Sequence, residues 1–76
     1  MTEELVMFDG LDFAYIGTTY RNGHILAVYD YDLIIKFLMM DGMTEEEAIE
    51  FTDFNILGAW FGELTPIVVV NENRED

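Results

Sequence analysis

Residues 13–29 read FAYIGTTYRNGHILAVY, and the reading of this stretch decides the fold. Residues 13–20 are rich in aromatic and β-branched side chains, the composition of a strand, with Ala14, Ile16 and Thr18 on one face. Arg21, Asn22 and Gly23 follow. Asn-Gly between two strand-like runs is the strongest short hairpin signal, because both residues tolerate the positive φ of a type I′ turn. The return run, residues 24–29, puts Ile25, Ala27 and Tyr29 on one face and Leu26 and Val28 on the other. Both faces are largely apolar, so this strand is expected at the centre of its sheet.

Working outward, Asp30 or Asp32 can cap a helix over about residues 31–40, and Gly42 supplies its left-handed stop. Thr44-Glu45-Glu46-Glu47 matches a capping box and predicts a second helix over about 45–54. Residues 54–62 are ambiguous: Gly58 and Gly62 weaken a helical continuation, although one further turn fits before the break. Residues 65–71 read as a last strand, with Pro66 at its start where a missing donor is tolerated. Residues 1–12, around the Asp9-Gly10 turn signal, form either a short strand or an ordered arm. Residues 1–4 and 72–76 are expected to fray. The element order is β-β-α-α-β. The expected fold is α+β, a small antiparallel sheet of hairpin 13–29 and strand 65–71 packed on two helices, in one domain spanning 1–76.

Composition narrows the function. Hydrophobic residues make up 51% of the 76, enough to exclude intrinsic disorder despite the charge. There is no cysteine, so neither a disulfide nor a thiolate–zinc site staples the domain. The longest apolar runs, residues 33–40 (broken by Lys36) and 66–70, fall far short of the ~20 residues a membrane span demands. Met1-Thr2-Glu3-Glu4 lacks the basic n-region of a signal peptide, so a cytoplasmic location is expected.

Sixteen carboxylates face three cations, Arg21, Lys36 and Arg74, for a formal net charge of −13. Self-repulsion of that size works against the compact state. Direct binding to nucleic acid is disfavoured, because that affinity comes from lysine and arginine neutralising phosphates. An anionic membrane is disfavoured for the same reason. A basic protein surface is the favoured partner, although acidity also serves solubility alone.

The catalytic inventory is thin. The chain has no serine and no cysteine, and its one histidine, His24, stands directly after the hairpin turn. No phosphate-binding or dinucleotide fingerprint occurs. No enzyme activity and no cofactor are expected. Asp30-Tyr31-Asp32 and the Asp9–Asp12 pair do not continue into a calcium-binding loop and read as caps and turns.

Two faces carry the sharper signals. On the second helix, Glu46, Glu47, Glu50 and Asp53 fall within roughly a 120° arc, opposite Ala48, Ile49, Phe51 and Thr52. Carboxylates three and four apart sit ~5–6 Å from each other, comparable to successive phosphates on a nucleic-acid strand. No cation interrupts this ridge, whereas a solvated face normally mixes signs. With Glu45 and Glu63 nearby in sequence, these acids form the candidate contact surface. On the first helix, Ile34, Phe37 and Leu38 form a core stripe, flanked by Leu33, Ile35, Met39 and Met40. That arc is wider than a surface helix needs. Either residues 1–12 or 54–64 cover its flanks, or Leu33, Ile35, Met39 and Met40 form an oligomer interface, most simply a homodimer. Trp60 and Phe61 read as core, with a binding anchor as the alternative.

From residue 41 onward, Asp41-Gly42-Met43-Thr44-Glu45-Glu46-Glu47-Ala48, Asp53-Phe54-Asn55-Ile56, Gly58-Ala59-Trp60-Phe61-Gly62-Glu63 and Thr65-Pro66-Ile67 resemble a family of short uncharacterised bacteriophage and prophage proteins. The resemblance covers about residues 30–70. It implies a phage origin and a host-cell cytoplasmic location, and it carries over no catalytic residue. By size and acidity the chain is also similar to inhibitors of host defence, including anti-CRISPR proteins and other DNA mimics. The leading expectation is a DNA-mimic inhibitor of a basic, nucleic-acid-binding host complex. The alternative is a homo-oligomeric assembly protein built on the apolar first helix.

Overall fold

The computed structural model describes residues 5–70, so the expected fraying of 1–4 and 72–76 lies outside the described residues. The hairpin forms as its sequence dictates. Strand β1, Tyr15–Arg21, pairs antiparallel with β2, His24–Asp30. Asn22 (φ 53°) and Gly23 (φ 82°) make the turn, both in the left-handed region that Asn and Gly adopt at least cost. A register shift between Tyr15 and Gly17 leaves Ile16 as an extra residue. This corrects the simple alternation: Tyr15 lies opposite Tyr29 and Thr18 opposite Ala27, so those two, not Ile16, share a face.

Helix α1, Tyr31–Met40, follows β2 without a loop. Asp30 caps it, accepting the Leu33 amide at 3.0 Å. At its end the Met43 amide donates to the Leu38 carbonyl and the Gly42 amide to Met39. Gly42 closes this turn at φ 114°, the left-handed stop that its position implies. Helix α2, Glu45–Phe51, carries the full capping box. It continues directly into a π-helical segment, Thr52–Leu57. The ambiguous stretch thus extends the helix, but in a wider winding. Asn55 shows how: its side-chain amide donates to the Phe51 carbonyl, the acceptor its own backbone N–H takes in an α-helix.

Strand β3, Ile67–Val69, begins directly after the buried Pro66 and is shorter than expected; Asn71 falls outside the described residues. It runs parallel to β2, with Val68 beside Tyr29, and the sheet order is β1-β2-β3. The fold is therefore α+β with β2 central, but the sheet is mixed rather than antiparallel. Connectivity permits this. A parallel neighbour requires a long crossover connection, and both helices and the 58–66 segment between β2 and β3 supply one.

The core is built where β2, α1 and α2 meet. Ala27, Tyr29, Ile34, Ile35, Leu38, Ala48 and Ile56 are buried together, closed from the N-terminal side by Phe8, Leu11 and Ala14. The 5–11 segment is an ordered arm rather than a strand. Phe8 packs on Tyr29 (ring centroids 5.0 Å apart) and on Phe61 (6.1 Å), and its amide donates to the Tyr29 hydroxyl at 2.9 Å. Desolvation in this cluster raises the Tyr29 phenol above its ordinary pKa, which the Phe8 hydrogen bond partly opposes.

Candidate functional site

Each acid on α2 has a definite local position. Glu47 is engaged in the capping box: its carboxylate accepts the Thr44 amide at 2.9 Å, and its own amide donates to Thr44 Oγ1 at 3.1 Å. That reciprocal bonding is a helix-starting device worth about 1 kcal/mol, and it fixes where the helix points its remaining acids. Glu45, Glu46 and Glu50 are exposed, and no lysine or arginine pairs with them among the described residues. Asp53 sits in the π segment and accepts the Tyr31 hydroxyl at 3.2 Å, which ties the start of α1 to the end of the acidic ridge. Glu63 belongs to a different element. It meets His24 Nε2 at 2.9 Å at the start of β2. A carboxylate only accepts, so this contact requires the imidazole proton on Nε2.

The acids of α2 do not stand on a purely polar surface. Met43, Glu47, Glu50, Phe51, Asp53 and Phe54 line one open, mainly apolar groove of about 840 Å³. Phe54 is 87% exposed, an extreme value for a phenylalanine. It was not singled out from the sequence, although a signal was present. Phe54 follows Glu50 by four positions and Glu47 by seven, so any continuation of the helix puts it among the carboxylates. Directly behind the ridge, Thr52 is fully buried, and its hydroxyl has no hydrogen-bond partner among the described residues.

No protein-family model, curated protein or solved structure matches the chain.

The flanks of α1 divide. Ile35 is buried in the core, so it is not available as an interface residue, and Phe37 moves to the margin, where its ring meets Phe13 at 5.4 Å. Ile35 shares the core cluster with Leu11, Ala14 and Ile56. Leu33, Met39 and Met40 are exposed, Met40 at 78%. Leu33, Met40, Phe13 and Phe37 line a second apolar groove beside Lys36. Trp60 is 71% exposed and Phe61 is half in solvent, so the expected core role of Trp60 is corrected: Ile56 and Phe8 occupy the core positions instead.

Proposed function

We propose that this chain is a non-enzymatic interaction protein whose acidic second helix docks on a basic, nucleic-acid-binding protein complex and keeps nucleic acid off it. The observation that carries this reading is the outward face of α2. Glu45, Glu46 and Glu50 project from one short helix without a compensating cation among the described residues. Glu46 and Glu50, four apart, are like-charge neighbours of the kind that destabilise a helix by a few tenths of a kcal/mol. A basic partner turns that cost into attraction and accelerates encounter. Read with the resemblance to short phage proteins, the partner is a host complex and the role is anti-defence, of the anti-CRISPR kind.

The test is capture of host-lysate proteins on the immobilised chain at low and high salt, followed by release of labelled DNA from the captured complex. Basic partners, lost at high salt and displaced from DNA by the chain, support the reading. Acidic partners, or capture indifferent to salt, overturn it.

A second reading rests on the exposed Phe13, Leu33 and Met40 beside α1: a homo-oligomer in which acidity serves solubility. Light scattering decides it. Leu33→Glu and Met40→Glu should both reduce an oligomer to monomer mass, and unchanged masses rule that interface out.

A further inference from the structure

The groove beside α2 combines two properties that a bare acidic ridge lacks. Its lining is mainly apolar, through Met43, Phe51 and Phe54, and three carboxylates, Glu47, Glu50 and Asp53, line the same space. No lysine or arginine lines it. Phe54 gains nothing from the core at 87% exposure. It stands within the π segment, and π segments are rare overall and frequent at functional sites.

Charge selects the occupant. Nucleic acid and an anionic membrane are repelled by the carboxylates. A second copy of the chain brings sixteen carboxylates of its own against only three cations. A partner segment that pairs lysine or arginine with an apolar side chain satisfies both halves of the groove, its cations on the acids and its apolar group against Phe54. We infer that this groove receives such a basic, apolar-anchored segment of the partner protein, with Phe54 as the anchor on this chain. This inference rests on the reading of the chain as an acidic interaction protein and adds which part of the partner is gripped. It makes recognition more than electrostatic, since apolar anchors in a charged rim give the steep truncation losses of a hot spot.

The test uses a fluorescein-labelled synthetic helical peptide with lysines around one leucine, a twin with serine for the leucine, and an acidic twin, read by fluorescence anisotropy against the full chain. The lysine–leucine peptide should bind. Phe54→Ala and the leucine-to-serine change should each weaken it about tenfold. Combined, they should cost much less than the product, because both remove the same contact. Glu50→Gln should weaken binding and flatten its salt dependence. Phe54 is exposed, so Phe54→Ala should leave the urea midpoint unchanged, which keeps the comparison free of folding effects.

If Phe54→Ala and the serine twin bind as well as their parents while Glu50→Gln binds less, the groove inference is overturned and the acidic docking reading stands. If no basic peptide binds and no basic protein is captured from lysate, the reading itself fails and takes the inference with it. A doubled mass in light scattering that Phe54→Ala abolishes would assign the groove to a second copy and overturn the proposal.

Discussion

Replacing Thr52 by valine should make this protein more stable. Thr52 is fully buried where α2 passes into the π segment, and its hydroxyl has no hydrogen-bond partner among the described residues. A buried hydroxyl left unsatisfied costs about 1–3 kcal/mol. Valine keeps the β-branched shape, and its extra methyl adds up to ~0.8 kcal/mol of apolar burial. Small imperfections of fit subtract from the sum, so a net gain of about 1–2 kcal/mol is expected. For a domain this small, each kcal/mol moves Tm by roughly 4–8 °C. The assay is urea unfolding followed by far-UV circular dichroism, with the slope unchanged and the midpoint raised. Thr52→Ser should lose stability against wild type, because it keeps the unpaired hydroxyl and gives up the methyl. A Thr52→Val protein less stable than wild type would refute the reasoning and mean that the hydroxyl is bonded in the folded state.

Tyr29→Phe should cost about 1–2 kcal/mol in urea unfolding, since it leaves the buried Phe8 amide without its acceptor. The same phenol predicts an alkaline limit. Its folded pKa is raised, so the folded protein holds a proton that the unfolded chain releases above about pH 10. Stability from this group is intact below that value and falls as pH climbs through the raised folded value, a dependence that Tyr29→Phe should remove. With a formal net charge of −13, the chain should melt at higher temperature as sodium chloride is raised from low salt to about 0.5 M. A flat or falling Tm would show that the carboxylates do not repel one another appreciably.

What was legible in the sequence was local. The Asn22-Gly23 turn, the Thr44–Glu47 box and the Gly42 stop are each decided by residues within a few positions and form as read, and of the two caps open to α1, Asp30 is the one used. The apolar run of residues 24–29 also placed β2 at the centre of the sheet. The direction of β3 was not legible, because Ile67–Val69 reads as a strand whichever way it runs and a connection through two helices permits either direction. On α1, where nearly every residue is apolar, periodicity assigns Phe37 to the core stripe and Ile35 to its flank, and the structure reverses the two. Ile34, Ile35 and Leu38 are buried, and Phe37 lies partly buried with its ring against Phe13. At the candidate site, the acids were visible but their company was not. The expected helix ends near residue 54, with one further turn fitting before Gly58; the π segment takes that turn to Leu57, but the exposure of Phe54 beside the acids was not readable from the pattern.

The mixed sheet has a consequence for how the chain folds in time. The β1–β2 hairpin closes a two-residue turn and needs nothing from the rest of the protein to begin forming. The β2–β3 pairing must close a loop that contains both helices, so its entropy is recovered only after the helical layer has assembled. A change in the turn, such as Asn22→Ala, should therefore slow refolding. A change in β3, such as Val68→Ala, should mainly speed unfolding. Val68 lies in register with Tyr29 and packs on the core, so the last strand acts as a latch on an otherwise finished hairpin and helix pair.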